Sequence, residues 1–201
     1  MAFTYFFRDL QTLELIIKHF LPSVTGNKYI NIWDAGCTHG PEPYSIAIIL
    51  RENMSHFLFR NVRIYATDID TSNLFGNIIN KGIYSEVEIK RIPKEIKQKY
   101  FQKVYNNEYK ISDEIMSYVF FSQHDLLTLK PIRADINLIV CKNVLLHFNH
   151  KQRIDVITMF HSVLVDNGFF VTEQTQKLPQ EVESLFEQIS NNGKVYKKIK
   201  I

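Results

Sequence analysis

The stretch Ile32-Trp-Asp-Ala-Gly-Cys-Thr-His-Gly-Pro-Glu-Pro-Tyr-Ser45 constrains this chain more than any other. A short apolar run (Ile30, Ile32, Trp33) stops at Asp34, Gly36 and Gly40 bracket a turn, and an amphipathic segment with Ile46, Ile49 and Leu50 on one face follows. Strand, glycine turn, helix is how a Rossmann-like sheet brings its backbone against a nucleotide. The spacing lacks the third glycine of a dinucleotide site and the Gly-Lys-Ser/Thr of a phosphate-binding loop, so nothing here is built to hold a pyrophosphate. Asp-x-Gly-x-x-x-Gly suits a nucleoside with an uncharged or positive tail. That points to S-adenosylmethionine.

About thirty residues on, Val62-Arg-Ile-Tyr-Ala-Thr-Asp68-Ile-Asp70 reads as a second buried strand ending in acid. A carboxylate at the carboxyl end of such a strand accepts the hydroxyls of a ribose. Asp68 has that position, whereas Asp70 fits the N-cap of the next helix.

The rest of the chain alternates. Leu10 to Phe20 reads as a helix with Leu13, Ile16, Ile17 and Phe20 inward. Strands are expected over 29–34, 61–67 and 134–141, with helices over 41–54, 71–80 and 152–164. Asp166-Asn-Gly168 reads as a tight turn into a strand from Phe169 to Glu173, and a last helix near 180–190 leads into a strand from Lys194 to Ile201. Alternating βα units imply a mainly parallel sheet covered on both faces. The interruption is Gly82 to Gln123: a lysine-rich helical stretch broken at Pro93, then a hairpin over 101–111 turning at Asn106-Asn107, with Tyr118 to Phe121 as a third antiparallel strand.

At 201 residues the chain is expected to be one domain, 1–201, with an inserted subdomain over approximately 83–123. No apolar run approaches the ~20 residues of a membrane span, and the amino terminus lacks the features of a secretion signal. Cys37 and Cys141 at strand ends favour reduced packing residues and a cytoplasmic location. His39, His124 and His147 share no ligand spacing, so no metal is expected. The net charge of +3 is too small to argue for nucleic acid.

Six motifs occur in one order: Trp33 to Ser45, Tyr65-Ala-Thr-Asp-Ile-Asp70, Gly82-Ile-Tyr84, Lys99-Tyr-Phe101, His124-Asp-Leu-Leu127 and Val140-Cys-Lys-Asn-Val144. Together they resemble the chemotaxis receptor methyltransferases, the CheR family, from Thr4-Tyr-Phe-Phe-Arg8 to Val195-Tyr-Lys-Lys198. The resemblance implies an α/β chain with a Rossmann-like class I S-adenosylmethionine-dependent methyltransferase fold. Its sheet would be mainly parallel and seven-stranded, with a small inserted antiparallel β-subdomain. It implies transfer of a methyl group from S-adenosylmethionine to glutamate side chains on the cytoplasmic helices of chemoreceptors, giving S-adenosylhomocysteine. Position by position it places Thr4, Arg8, Gly36, Gly40, Glu42, Asp68, Asp125, Leu126, Lys142 and Asn143 around the cofactor. Arg8 would meet its carboxylate, and Arg8 and Asn143 would lie near the reacting end. No general base is expected, because a carboxylate acceptor has no proton to lose. A monomer without membrane insertion is expected.

The departures define the alternatives. Pro41 stands where the family has an acid, Lys142 where it has arginine, His147 where it has tyrosine, and Thr172-Glu-Gln-Thr175 where Gly-His-Ser-Glu is usual. The Asn106-Asn107 turn lacks the glycine-containing extension of members that grip a receptor tail peptide. The family's amino-terminal helical domain is not in this sequence. A cofactor-binding regulatory or interaction module, or a methyltransferase with a different acceptor, therefore stands beside receptor methylation.

Overall fold

The computed structural model describes residues 4–175 and 177–200. Among the described residues ten strands form two sheets: β1 (Ile30–Ala35), β2 (Val62–Asp68), β3 (Ile83–Ser85), β4 (Phe101–Tyr105), β5 (Glu108–Ile111), β6 (Val119–Gln123), β7 (Ile136–Cys141), β8 (Leu164–Thr172), β9 (Phe186–Gln188) and β10 (Val195–Lys198). The large sheet runs β6-β2-β1-β7-β8-β10-β9. It is parallel from β6 to β8 and antiparallel where β10 joins β8 and β9. Every residue of β1 and β7 is buried, as central parallel strands covered on both faces require. Alternation splits β1 between two cores. Ile30 and Ile32 pack with helices Leu10–Ser23 and Pro41–Asn53, while Trp33 and Ala35 pack with helix His150–Val163.

Strand order reverses between β2 and β7, the two neighbours of β1. A crevice therefore opens at the carboxyl ends of β1, β2 and β7, where connections leave in opposite directions.

The small sheet, β3-β5-β4, is antiparallel, and its β4–β5 hairpin turns at Asn106-Asn107, where Asn106 has φ +41°. Its third strand is Ile83–Ser85, not Tyr118 to Phe121. Residues 119–123 form β6, which lies parallel to β2 at the edge of the large sheet and packs the half-buried Phe121 against Gly76. An apolar strand satisfies its backbone equally in a local hairpin or beside a remote strand, so periodicity alone could not separate the two.

Three other boundaries moved. The helix expected from Thr71 starts at Phe75, because the Asp70 carboxylate accepts the amides of Leu74, Phe75 and Gly76 from the turn before it. Asp166-Asn-Gly168 is not a turn between elements but an irregularity inside the longer strand β8, with Asn167 at φ +62°. The helix expected near 180–190 is only Gln180–Glu183, and Phe186–Gln188 instead supplies β10 with its edge partner. Ile201, at the end of the expected last strand, lies outside the described residues.

Candidate functional site

A cavity of about 590 Å³ lies at the crevice where strand order reverses. Its floor is the glycine turn. Gly36 has φ +103°, and a Cβ there would come within 2.1 Å of a Val144 methyl. Only glycine lets the end of β1 meet the loop after β7 this closely.

One wall comes from β2. The Asp68 carboxylate accepts the Thr38 amide at 2.9 Å and the Asp70 amide at 3.0 Å, one on each oxygen. Each oxygen keeps acceptor capacity for a further donor. The backbone has therefore aimed this carboxylate before any ligand arrives. The loop after β6 supplies the opposite wall. Asp125 accepts the Leu127 amide at 2.9 Å and so caps a short turn over Leu126–Thr128 that presents Leu126 and Leu127 to the cavity.

The amino-terminal segment reaches the cavity through packing, not through the sheet. Phe6 is buried edge-on against Tyr84 and Phe101, with centroids 4.9 and 5.3 Å away. The Phe7 amide donates to Ser45 Oγ at 2.8 Å. These contacts fix Thr4 and Arg8 on the cavity wall, where the Arg8 guanidinium donates to Asn143 Oδ1 at 3.1 Å. Asn143 has φ +60°, and its amide donates to the buried Glu173 carboxylate at 3.1 Å. Glu173, in the segment that departs from the family pattern, thus holds the backbone that holds Arg8.

Lys142 is almost wholly buried, its side chain 1% exposed, with Nζ 2.7 Å from Glu42 and 3.2 Å from Asp9. Burial alone would lower its pKa, but the two carboxylates outweigh it and the ammonium's pKa is raised. Asp34, on β1, is fully buried and neither of its oxygens has a hydrogen-bond partner among the described residues. Burial first, and then the charge of Glu42, push its carboxyl well above the usual carboxylate range.

Nine of the ten expected residues, Thr4, Arg8, Gly36, Glu42, Asp68, Asp125, Leu126, Lys142 and Asn143, line this cavity. Gly40 does not. It opens helix Pro41–Asn53 at φ +106°, and a Cβ there would meet Tyr84 Oη at 2.6 Å and Ile79 at 2.8 Å. Its smallness serves the approach of β3, with Tyr84 Oη donating to the His39 carbonyl at 2.9 Å. Of the three histidines named above, His124 and His147 line the cavity, while His39 lies 3.3 Å from Glu88 in the short helix after β3. Among the described residues no cluster of three His, Cys, Asp or Glu could hold a metal. None of their helices is long and apolar enough to cross a membrane.

Ile69, Thr38, His124, Leu146 and Phe148 also line the cavity and escaped the sequence reading as cofactor neighbours. Ile69, between two acids just past a strand end, could have been found from its place. Thr38 sits inside the glycine turn and His124 beside Asp125, so their places were also readable, whereas Leu146 and Phe148 come from a loop whose path no periodicity reveals.

The family model described as CheR methyltransferase, SAM binding domain, matches residues 2–195. The chain belongs to the CheR methyltransferase family. Among its relatives, the chemotaxis protein methyltransferase of Borreliella burgdorferi is 33% identical over 183 residues, covering 87% of this chain and 64% of that protein. Chemotaxis protein methyltransferase 2 of Vibrio cholerae is 28% identical over 188 residues, covering 91% and 64%. The chain thus spans just under two thirds of the length of these relatives. Among solved structures, magnesium protoporphyrin IX methyltransferase of Synechocystis with bound SAM superposes with a TM-score of 0.51 at 14% identity, over 95% of this chain and 79% of that one. The DszA carbon methyltransferase gives 0.51 at 17% identity, over 84% and 36%. These likenesses establish the class I methyltransferase fold, and the CheR match makes S-adenosylmethionine the cofactor.

Proposed function

We propose that this CheR-family domain methylates glutamate side chains of chemoreceptor helices, using the cavity at the ends of β1, β2 and β7. The observation that carries this reading is the Asp68 carboxylate, aimed by two backbone amides beside a glycine turn that only glycine permits. The lining fits the cofactor. Asp68 would take the ribose hydroxyls, and Leu126, Leu127 and Ile69 would flank the adenine, with Asp125 at its edge. Arg8 would meet the amino-acid carboxylate, and Glu42 and Lys142 would lie near the same end. Bound there, S-adenosylmethionine supplies a methyl group on a positively charged sulfur.

The chain's own work is alignment and exclusion of water. A carboxylate acceptor arrives ionised, so no side chain has to remove a proton. Opposite charges cancel as the methyl moves, and a dry, fixed site favours that cancellation. Leu146, His147 and Phe148, which also line the cavity, carry no cofactor contact in this reading, and beside them we place the acceptor.

S-adenosylhomocysteine is expected to bind in the micromolar range, roughly 8 kcal/mol. Asp68→Ala should weaken it by about 1.5–3 kcal/mol, since hydrogen bonds to a charged acceptor are lost. A calorimetric titration without heat at millimolar ligand would end the cofactor assignment of this cavity. For Arg8, replacement by lysine should be nearly as harmful as replacement by alanine, because a point charge cannot reproduce the planar fork. Equal affinities of wild type and Arg8→Ala would remove Arg8 from the cofactor's shell. The acceptor is tested by tritiated methyl transfer to receptor-rich membranes, with base-labile methyl esters expected. Cofactor binding without any methyl transfer would favour a regulatory module.

A further inference from the structure

Glu173 is a buried acid in the stretch where the sequence departs from the CheR pattern, and it does not line the cavity. It directly follows β8, whose Thr172 pairs with Cys141 at the end of β7. That register sets Glu173 beside the loop that carries Lys142 and Asn143. Its Oε2 accepts two donors, the Thr172 hydroxyl at 2.7 Å and the Asn143 amide at 3.1 Å. Its Oε1 has no partner among the described residues. Leaving a buried polar atom unpaired is costly, so packing alone gives no reason for an acid here. The bond to Asn143 does. Asn143 lies past the β7 ladder at φ +60°, a conformation that a residue other than glycine keeps only when its surroundings hold it. In that turn its Oδ1 accepts the Arg8 guanidinium at 3.1 Å. Arg8 belongs to the amino-terminal segment, outside both sheets, so its aim depends on such contacts.

We propose that Glu173 is a positioning residue for the amino-acid end of the cofactor. It pins Asn143 in its turn, Asn143 holds the Arg8 guanidinium, and Arg8 meets the ligand's carboxylate. The inference rests on the S-adenosylmethionine reading of the cavity, with Arg8 at that carboxylate. Glu173 itself touches no ligand. Its influence therefore falls only on ligands that offer Arg8 a carboxylate, whereas an acid that simply stabilised the fold would support every ligand of the cavity alike. The relay joins residues 8, 143 and 173, so it exists only once the amino-terminal segment, the loop after β7 and the end of β8 have come together.

The test is calorimetry of the whole chain with S-adenosylhomocysteine and with 5′-methylthioadenosine, which has the nucleoside but no amino-acid end. Glu173→Ala should weaken S-adenosylhomocysteine by about tenfold and leave 5′-methylthioadenosine within about twofold of wild type. Glu173→Gln keeps an oxygen that can accept the Asn143 amide and should recover most of the loss. In an Arg8→Ala background, Glu173→Ala should have almost no further effect, because the relay has already lost its last member. Unchanged S-adenosylhomocysteine affinity in Glu173→Ala, equal weakening of both ligands, additive losses in the double variant, or a glutamine variant as weak as alanine would each overturn the assignment while leaving the cofactor reading intact. If Glu173→Ala does not fold, Glu173→Asp takes its place, since one methylene less withdraws the carboxyl from the Asn143 amide. It should lower the ratio of the two affinities, and an unchanged ratio would overturn the assignment. Failure of S-adenosylhomocysteine to bind wild-type protein at all would overturn the cofactor reading and this inference with it.

Discussion

Gly36→Ala is expected to destabilise the protein by about 2–6 kcal/mol and to abolish cofactor binding. Two costs add. At φ +103° any Cβ strains the backbone, by roughly 1–3 kcal/mol. The new methyl would also sit 2.1 Å from Val144 Cγ2, and forcing extra volume into a packed contact costs about 1–3 kcal/mol more. Relief requires the turn or the loop after β7 to move. Those segments carry Thr38, which aims Asp68, and Asn143, which holds Arg8. Denaturant unfolding and S-adenosylhomocysteine titration measure both effects. A variant within about 1 kcal/mol of wild type and binding normally would show the approach of Val144 to be dispensable. The double variant Gly36→Ala/Val144→Ala separates the terms. It should recover part of the overpacking cost and none of the backbone strain.

Lys142→Met should cost about 3–5 kcal/mol at neutral pH, the price of breaking a buried ion pair from one side. The ammonium is buried and serves two acids, of which Glu42 is itself only 14% exposed. Methionine fills much the same space, so the loss is electrostatic. With the lysine gone, Glu42 and Asp9 face each other and Asp34 without compensation. Acidification makes the stranded carboxyls neutral, so the deficit against wild type should narrow as pH falls through the carboxylate range. In wild type the raised lysine pKa keeps the ammonium's contribution complete at neutral pH, to be lost only at alkaline pH. Lys142→Arg should retain most of the stability, since a guanidinium can serve both acids. Urea titrations at two pH values check all three statements. A Met variant as stable as wild type at neutral pH would show that the pair contributes nothing net.

Much of this was legible in the sequence because its causes are local. The apolar runs of β1 and β7, the glycine turn and the acid closing β2 are each set by a few consecutive residues. Strand, turn and helix periodicities therefore placed the mainly parallel α/β sheet, the glycine turn and Asp68 at the end of the second strand without any coordinates. The Asn106-Asn107 hairpin was equally readable, because its turn and both strands lie within one short segment.

What tertiary structure alone decided concerns partners far apart in the chain. Whether 119–123 would pair with the hairpin or with β2 depended on which edge lay open, and an unpaired backbone carries no address. Gly40 looked like a nucleotide-loop glycine, yet its space is taken by Tyr84 from β3. Lys142 looked like a weakened arginine at the cofactor, and only packing showed it locked between Asp9 and Glu42, 133 and 100 residues away in sequence. Asp34 read as the end of a strand. Its isolation became visible only with β2, β7 and helix Pro41–Asn53 folded around it, because burial and the lack of a partner are properties of everything that surrounds a residue.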